Sequence, residues 1–465
     1  MNERKVYTAI MCGGEGKRLW PLSRRSFPKY YIPLADGESL FQKAFQRALL
    51  TSDVMDVLLV TTAVNKHNAL KQARAIVPTF PSENLIIRPE GKETFATLAC
   101  ALGIMADRGA RDEDVLICAP ADHVINDTEE YKNTLLHAAS VANQSLVVIG
   151  IEPTEPSSDF GYIEYDANHV GEKAYLVNRF IEKPNSTNAK KFIDQGNYLW
   201  NAGFYIGTFD VYLNEIKTID PITAGIILCG SEVISKEFEK LPESSIDYVI
   251  SEKSKRMLVV PATFDWCDYG DLESFIGARG IDQKLAIFDG ENVTACADGK
   301  LVVSVGVSDL IIVQTRDTLL VVQKNEAKNL SKVVNELKKG EHSAVDHHHT
   351  GYRPWGTYEI IEEAPGYIIK KITIDPGCSS STQTHSKRSE HWAIVSGSGQ
   401  VTIDDEIKLI HANESLHIPA LTKHRIENPT TEPLVLIEVQ TGSRLEENDI
   451  TREDDPYESE HPTTF

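Results

Sequence analysis

The fold is decided by one stretch near the start of the chain, Gly13-Gly14-Glu15-Gly16-Lys17-Arg18-Leu19-Trp20-Pro21-Leu22-Ser23-Arg24, which is closed by Pro28-Lys29. The apolar and β-prone segment 5–12 precedes it, and this pattern predicts a buried first strand. The glycines allow a sharp turn that brings backbone amides close to an anion, and basic side chains follow within the same loop. We therefore predict that this loop binds the phosphates of a nucleotide through Gly13, Gly14, Gly16, Arg18 and Lys29, with Arg24 as a further cation.

Two better-known phosphate-binding loops do not fit this stretch. A P-loop needs Ser or Thr directly after Gly-Lys, whereas Gly16-Lys17 is followed by Arg18. The dinucleotide-binding pattern G-x-G-x-x-G has Leu19 at its third glycine and Pro21 inside its helix. The stretch resembles instead the opening motif of the sugar-nucleotide pyrophosphorylases, G-G-x-G-x-R-L-x-P-(x)n-P-K. Within that group its sequence is most similar to that of the mannose-1-phosphate guanylyltransferases.

Length and composition limit the classes of protein that fit. A chain of 465 residues is too long for a single hydrophobic core, so we expect two or three domains. Its net charge of −21 argues against nucleic acid and anionic membranes as general partners. The seven cysteines are scattered without a C-x-x-C pair, as is typical of free thiols in a reducing compartment. Because apolar runs of membrane-spanning length and an apolar leader are both missing, we expect a cytoplasmic protein.

Strand-like and helix-like segments alternate through the first part of the chain. Apolar runs over 54–61, 84–88 and 115–119 predict buried strands, and helical spacing over 40–50 and 94–106 predicts the helices between them. This alternation predicts an α/β nucleotidyltransferase domain over residues 1–288, with a mostly parallel, Rossmann-like sheet and helices on both faces. Ligands bind such sheets at the carboxyl ends of the strands, which is where the glycine-rich loop lies.

Two aspartates are candidate ligands of Mg²⁺, a cation that prefers carboxylate and phosphate oxygens. Asp122 follows the strand over 115–119, a position that also suits the cap of a turn or helix. Pro120-Ala121-Asp122-His123 matches the metal-site motif of the resembled family, and Trp266-Cys267-Asp268-Tyr269-Gly270 matches its W-x-D-x-G. The resemblance implies that both carboxylates hold one Mg²⁺ that bridges the nucleotide and sugar phosphates.

Further motifs of the same family lie between the two aspartates. Residues 180–184 read Phe-Ile-Glu-Lys-Pro and resemble F-x-E-K-P, which implies that Lys183 binds the sugar phosphate and Glu182 the sugar hydroxyls. Residues 200–203 resemble W-N-x-G, which implies that Asn201 lines the sugar pocket, and we group Gly161 with these substrate-binding residues. On the residues alone, Glu182-Lys183 would more often be a solvated ion pair at a strand end, and Asn201 a turn residue. We expect Asp247 to have only a positioning role.

After the first domain the pattern changes to short β runs separated by Gly, Asp and Asn. We predict a small β-solenoid-like segment over 289–340 that ends in a connecting helix over 324–339. Residues 341–353 follow as a linker. Because the adjacent histidines at 347–349 cannot all face one metal ion from a regular element, we interpret them as flexible polar sequence.

Residues 354–465 form a second functional unit. Alternating strands over 368–374, 391–395, 400–403, 415–418 and 434–439 predict a small all-β barrel. Polar residues follow the spacing of the two cupin motifs, with Gln383 at the usual first histidine and Leu421 at a usual glycine. Their nitrogen and oxygen atoms suit Zn²⁺ or another divalent metal. The predicted ligands are Gln383, His385, Glu390 and His424.

The order of these motifs along essentially the whole chain resembles the bifunctional mannose-1-phosphate guanylyltransferase/mannose-6-phosphate isomerase family. The isomerase half of that family carries S-L-Q-x-H-x-x-R-x-E-H-W, close to residues 381–392 here. The resemblance implies that Arg388 binds or steers the sugar phosphate. It also implies two reactions: transfer of GMP from GTP to α-D-mannose 1-phosphate with Mg²⁺, and interconversion of mannose 6-phosphate and fructose 6-phosphate through an enediol.

The chain departs from the family pattern at three places. Where the family usually has P-K-Q-F, this chain has Pro28-Lys29-Tyr30-Tyr31. Where the family usually has R-N-T-A-P-A, this chain has Lys-Glu-Thr-Phe-Ala-Thr at 92–97. Both places lie near the family's nucleotide pocket, and a pocket that hydrogen-bonds one base can reject another by ~10⁴ or more. Another base or sugar 1-phosphate is therefore an open alternative. The family's usual H-H-H run is replaced here by His385-Ser386-Lys387. Whether this chain keeps the family's contacts to the isomerase substrate is therefore also open.

Two other functions remain as alternatives. One is a monofunctional sugar-1-phosphate nucleotidyltransferase with a non-catalytic cupin, and the other is a non-catalytic sugar-nucleotide sensor, against which the full set of charged positions argues. The sequence does not identify the general base of the isomerase, for which His391 and Lys371 are the candidates. We also expect a homodimer.

Overall fold

The computed structural model describes residues 4–14, 16–169, 173–280, 285–297, 300–445, 449–454, 456–457 and 462–465. Glu15 of the glycine-rich loop lies outside these residues. The chain forms an N-terminal α/β domain, a central β-rich segment and a C-terminal barrel. Among the described residues, no helix combines the length and the apolar character that crossing a membrane requires.

The N-terminal domain is built on a mixed sheet flanked by helices. Its strands are β1 (Val6–Met11), β2 (Val57–Thr62), β3 (Leu85–Arg88), β4 (Val115–Pro120), β5 (His123–Val124), β6 (Val147–Ile151), β7 (Tyr162–His169), β8 (Tyr175–Ile181), β9 (Tyr198–Thr208), β10 (Leu258–Pro261) and β11 (Cys267–Asp268). Its helices are α1 (Leu40–Ala48), α2 (Lys66–Arg74), α3 (Thr94–Asp107), α4 (Thr128–Val141), α5 (Ser186–Gln195), α6 (Phe209–Ile219), α7 (Pro221–Leu228), α8 (Ser231–Glu237) and α9 (Leu272–Ala278). The sheet order is β3-β2-β1-β4-β9-β6-β10-β8-β7, parallel from β3 to β4 with β9 antiparallel to β4 and β6, whereas β5 pairs separately with β11.

The first strand shows why this sheet is apolar on both faces. Tyr7, Ala9 and Met11 pack in one hydrophobic layer, and Ile10 and Cys12 pack in the layer on the opposite face. Side chains of a strand alternate between the two faces, so a strand covered by helices on both sides needs a continuous apolar run. The α/β class predicted for this domain is confirmed.

The central segment contains β12 (Leu285–Phe288), β13 (Thr294–Cys296), β14 (Val302–Val305), β15 (Leu310–Gln314), β16 (Leu319–Gln323) and α10 (Leu330–Lys339). The β12–β14 and β13–β15 pairs are parallel, as in a β-solenoid. Because β12 pairs with β14, residues 285–288 belong to this segment and not to the N-terminal domain as predicted. The connecting helix predicted over 324–339 begins as a 3₁₀-helix over Lys324–Asn329 and becomes α-helical only at Leu330.

The barrel consists of two facing antiparallel sheets. Its strands are β17 (Thr350–Arg353), β18 (Gly356–Ala364), β19 (Tyr367–Ile374), β20 (Thr382–His385), β21 (Arg388–Ser396), β22 (Ser398–Ile403), β23 (Glu406–His411), β24 (Ser415–Ile418), β25 (His424–Glu427), β26 (Leu434–Gly442) and β27 (Ile450–Asp454). In the described residues, one sheet has the order β17-β18-β19-β26-β21-β24 and the other has the order β23-β22-β25-β20-β27. Since β17 is part of the first sheet, the barrel begins before the predicted residue 354.

The flexible linker predicted over 341–353 is wrong. Trp20 Nε1 donates a hydrogen bond to the Ala344 carbonyl at 3.0 Å, and His348 Nε2 lies 3.0 Å from the Leu22 carbonyl oxygen that accepts from it. The Tyr352 ring stacks on Phe27 with the ring centroids 4.1 Å apart. The segment is polar in sequence, and these contacts reach partners that are distant in sequence, so no local pattern revealed them.

Arg24 does not join the phosphate-binding loop as predicted. Its side chain is fully buried, and its guanidinium forms a two-pronged ion pair with Asp317 of the central segment at 3.1 and 3.0 Å. It also donates to the carbonyls of Pro21 and His347. Arg24 therefore ties the second half of the glycine-rich loop to the central segment instead of facing a ligand.

The end of the chain returns to the N-terminal domain. Strand β28 (Thr463–Thr464) pairs in parallel with β3, and the Phe465 amide donates to the Ile87 carbonyl at 2.9 Å. The predicted assignment of residues 354–465 to the barrel therefore fails at this last strand, which extends the N-terminal sheet.

Candidate functional sites

A cavity of about 680 Å³ opens at the carboxyl ends of the parallel strands of the N-terminal domain. It is lined by loop residues that directly follow strands: Gly13 and Gly14 after β1, Asn65 after β2, Glu90 to Glu93 after β3, and Asp122 after β4. Strands that run in parallel end at the same edge, so residues far apart in sequence meet there. We call this space the N-terminal cavity.

Lys29 lies between the two predicted Mg²⁺ ligands. Its Nζ is 2.9 Å from Asp122 Oδ2 and 2.8 Å from Asp268 Oδ1. The antiparallel pairing of β5 with β11 places Asp268 opposite His123 and so brings the two motifs together. Burial works against the charge of Lys29, yet the two carboxylates raise its pKa above the ordinary value. Lys29 therefore carries its charge at neutral pH.

This arrangement fits a Mg²⁺ ion. Two carboxylates converge on one cation-binding position, and Mg²⁺ is commonly held by one or two protein carboxylates together with substrate phosphates. Asp122 and Asp268 would supply those oxygens, and Lys29 occupies the position between them.

The glycines of the loop meet two different needs. Gly14 lines the N-terminal cavity with a φ of +94°, a conformation that other residues rarely adopt. Gly16 has a φ of +63°, and a Cβ there would lie 2.4 Å from Ser23 Oγ, so its role is to close the turn. Arg18 is half exposed and pairs with Asp159 at 2.9 Å, beside the cavity and not within its lining.

The predicted sugar-binding residues form one cluster. Lys183 Nζ contacts Glu182 Oε1 at 2.7 Å, and burial, followed by the nearby Asp247 carboxylate, raises the pKa of Glu182. A Cβ on Gly161 would lie 2.7 Å from Glu182 Oε2, so a larger residue there would displace that carboxylate. Asn201 donates from its backbone to the Gly161 carbonyl at 2.8 Å.

Asp247 connects this cluster to the N-terminal cavity. It accepts hydrogen bonds from Asn201 Nδ2 at 3.0 Å and from the Tyr205 hydroxyl. Both Asp247 and Tyr205 line the cavity. Through these contacts the sugar-binding cluster adjoins the lining of the N-terminal cavity, and a positioning role for Asp247 remains a prediction.

Sequence reasoning missed several cations of the N-terminal cavity. Lys17, Arg25 and Arg88 line it, and Arg88 Nε is buried without a hydrogen-bond partner among the described residues. Arg88 is the last residue of β3. Its position at the carboxyl end of a parallel strand could have predicted that it lines the cavity. Lys92 also reaches the lining, but its Nζ donates to the Glu239 and Leu241 carbonyls, which makes it a structural residue.

The barrel encloses a second cavity, of about 490 Å³, which we call the barrel cavity. Four predicted metal ligands meet at its wall. His385 Nε2 is 2.9 Å and His424 Nε2 is 3.6 Å from the Glu390 carboxylate, and Gln383 Nε2 is 3.4 Å from His424 Nε2. Although burial opposes it, the neighbouring His385 lowers the pKa of Glu390 to about 2.

These residues fit a divalent metal ion. The ligand atoms of His385, Glu390 and His424 lie within 4.8 Å of one another and are buried. Despite the close approach of Glu390, neither ring nitrogen of His385 has a partner with hydrogen-bond geometry in the part of the chain that the structure describes. Buried imidazole nitrogens are rarely left unpaired, and a metal ion would satisfy them. Zn²⁺ and similar ions accept such mixed nitrogen and oxygen ligands.

Three further side chains lie beside this ligand set. Arg388 is buried and donates from Nε to Glu390 Oε1 at 3.3 Å. Glu438 and Gln440, which sequence reasoning missed, also line the barrel cavity, and Trp392 Nε1 donates to Glu438 at 3.1 Å. Burial, together with the nearby Glu390 carboxylate, raises the pKa of Glu438 to about 8.

Both candidates for the general base of the isomerase are wrong. His391 and Lys371 are exposed on the outer face of the barrel, where the His391 ring stacks on His417 at 4.3 Å. Their neighbours Glu390, Trp392 and Lys370 face the cavity instead. Alternation along a strand decides this, and an error of one residue moves a side chain to the opposite face.

Comparison with known proteins agrees with this division of the chain. Three family models match: nucleotidyl transferase over 7–284, mannose-P isomerase/GMP-like β-helix domain over 284–337, and mannose-6-phosphate isomerase C-terminal over 340–455. The alginate biosynthesis protein AlgA of Pseudomonas aeruginosa is 34% identical over 96% of both chains. A mannose-1-phosphate guanylyltransferase of Escherichia coli K12 is 34% identical over 98% of this chain and 99% of its own.

A solved structure extends the likeness to three dimensions. The crystal structure of a protein from Thermus thermophilus, named as a mannose-1-phosphate geranyltransferase, shares 28% identity. It covers 72% of this chain and 99% of its own, with a TM-score of 0.61. With these matches over nearly its whole length, the chain belongs to the family of mannose-1-phosphate guanylyltransferases that carry a C-terminal mannose-6-phosphate isomerase domain.

Proposed function

We propose that the N-terminal cavity transfers GMP from GTP to α-D-mannose 1-phosphate, giving GDP-mannose and pyrophosphate. The observation that carries this proposal is the Lys29, Asp122 and Asp268 cluster, whose Asp122 lines the N-terminal cavity together with Gly13 and Gly14.

The reaction forms one bond and breaks one. A phosphate oxygen of mannose 1-phosphate attacks the α-phosphorus of GTP, and the bond to the pyrophosphate oxygen breaks in line. Gly13, Gly14 and Arg88 hold the triphosphate, while Lys183 binds the sugar phosphate and Glu182 and Asn201 bind the sugar hydroxyls. Mg²⁺ on Asp122 and Asp268 supplies charge neutralisation when it is bound. Positioning and electrostatics provide most of the catalysis.

The residue that would recognise the base of the nucleotide is one at which the chain departs from its family pattern. Glu93 is an exposed carboxylate in the lining of the N-terminal cavity, at the start of α3. A carboxylate accepts two hydrogen bonds, and guanine presents two adjacent donors, N1–H and N2–H₂. Glu93 would therefore select guanine. The other departure, Tyr30, donates to the Cys12 carbonyl at 3.0 Å and has a structural role.

We infer a second activity for the barrel cavity, the interconversion of mannose 6-phosphate and fructose 6-phosphate. Gln383, His385, Glu390 and His424 would hold Zn²⁺ or another divalent metal, which would polarise the carbonyl and hydroxyl oxygens of the sugar when bound. Arg388 would position Glu390 and the substrate from the same wall. The dimer expected from the sequence remains a prediction.

The first test is pyrophosphate release with Mg²⁺, measured across four nucleoside triphosphates and a panel of hexose 1-phosphates. We expect release with GTP and mannose 1-phosphate at a rate well above every other pair. Preference for another pair would overturn the substrate assignment, and the absence of release from any pair would overturn the transferase.

The second test adds fructose 6-phosphate to the metal-loaded full-length protein and measures the formation of mannose 6-phosphate. We expect turnover that depends on the metal. If pyrophosphate release is present and isomerisation is absent, the monofunctional enzyme with a non-catalytic cupin is the correct function.

A further inference from the structure

The helix α2 separates the two cavities. It belongs to the N-terminal domain and directly follows β2 through the 3₁₀-turn Ala63–Asn65. Asn65 lines the N-terminal cavity, whereas the next two residues, Lys66 and His67, line the barrel cavity. One peptide bond thus connects the walls of two sites that belong to different domains.

The helix is held against the barrel by specific contacts. Lys71 Nζ forms an ion pair with Asp375 Oδ2 at 2.5 Å, and α2 packs against β17. Tyr352 of β17 packs against the hydrophobic layer that includes Ala69 and Leu70 of the helix. These contacts between α2 and the barrel hold Lys66 in its position at the barrel cavity.

The charges of the barrel cavity are arranged unevenly. The metal-ligand side contains the carboxylates of Glu390 and Glu438, which repel an anion. Lys370 also lines the cavity, but its Nζ lies 5.4 Å from the centroid of the Tyr358 ring and it interacts electrostatically with Glu438. Lys66 lines the same cavity, and among the described residues it forms no ion pair with an acidic side chain. In a chain with a net charge of −21, an ammonium group without an acidic partner in this cavity points to an anionic ligand.

We propose that Lys66 of the N-terminal domain binds the phosphate of the isomerase substrate, so that the barrel cavity is a composite site completed by that domain. The proposal rests on the isomerase function inferred above. A hexose 6-phosphate would place its carbonyl end at the metal ligands and its phosphate at Lys66, which lines the cavity with His67 beside it. A lysine ammonium binds a phosphate as a compact point charge.

The test uses the full-length, metal-loaded protein and the variants Lys66→Gln and Lys66→Arg. Loss of one charge-assisted contact to a phosphate should raise KM for fructose 6-phosphate about tenfold in Lys66→Gln, with kcat within about twofold. Lys66→Arg should restore most of the affinity because it keeps the charge. Lys43→Gln removes a lysine from α1, outside the lining of both cavities, and serves as the control for net charge.

A second measurement separates this proposal from the isomerase function itself. Mannose 6-phosphate is titrated calorimetrically while GDP-mannose fills the N-terminal cavity, and its Kd should rise about tenfold in Lys66→Gln. If the wild-type protein binds mannose 6-phosphate but does not isomerise it, the isomerase function fails while the composite site stands. An unchanged KM and Kd in Lys66→Gln, or an equal loss of pyrophosphate release, would overturn the composite site.

Discussion

The two cavities obtain their functional residues in opposite ways. In the N-terminal cavity the residues lie in loops that follow strands β1 to β4, and the parallel topology brings the loops to one edge of the sheet. In the barrel cavity the residues lie within strands, and alternation decides which of them face inward. Motif order is therefore enough to locate a site built from loops, whereas a site built from strands also requires knowing which face of the sheet each residue occupies.

The strongest test of this comparison removes one of the two carboxylates that contact Lys29 beside the N-terminal cavity. Asp268→Asn should lower kcat for pyrophosphate release by about 10³ or more, because one of the two metal-binding oxygen groups is lost. Isomerisation should stay within about twofold, since Asp268 lies outside the lining of the barrel cavity. Asp210→Asn, an exposed carboxylate on α6, is the matched control. Retained pyrophosphate release in Asp268→Asn would rule out the Mg²⁺ assignment.

The matching change in the barrel cavity is His385→Ala. We expect bound metal, measured by elemental analysis, to fall below stoichiometric levels, and isomerisation to fall by about 10² or more. Pyrophosphate release should be unaffected. His391→Ala changes an outward-facing histidine on β21, the next strand along the chain, so it should change neither quantity. Equal loss of metal in both variants would show that the assigned faces of the strands are wrong.

A third prediction concerns the contacts that support the glycine-rich loop. Asp317→Asn leaves the fully buried Arg24 guanidinium without its carboxylate partner, and breaking a buried pair in this way costs about 3 kcal/mol. Urea unfolding should show this loss in the transition that reports on the N-terminal domain. Asp309→Asn, an exposed carboxylate in the same segment, should change stability by less than about 0.5 kcal/mol. Equal stability of the two variants would contradict the role of Arg24.

The smallest effect is expected at the base-binding end of the N-terminal cavity. Glu93→Gln keeps the size of the side chain but replaces one acceptor oxygen with a donor, so one hydrogen bond to guanine is lost. The ratio of kcat/KM for GTP to that for ATP should fall about tenfold. Glu83→Gln, which lies before β3 and outside the lining of the cavity, is the control. An unchanged ratio would mean that other groups read the base.

Some parts of this molecule were predictable because their evidence is local. Continuous apolar runs indicated β1 and β4, and the helix expected over 40–50 is α1, which begins with a capping box between Ser39 and Gln42. In the barrel, the predicted ligands Gln383, His385 and Glu390 are close in sequence, and the structure brings His424 beside them. His391 and Lys371 failed for a different reason: the choice between neighbouring residues of a strand needs the register, which one sequence does not contain.

The sequence by itself determined the order of motifs, the α/β and all-β classes of the two domains, and the chemical types of their ligands. These properties follow from patterns of neighbouring residues, which act before the chain is packed. Only the tertiary structure decided that Arg24 is buried against Asp317, that β28 extends the first sheet, and that Lys66 reaches the barrel cavity. Each of these contacts joins residues distant in sequence, and such contacts depend on how whole domains pack together.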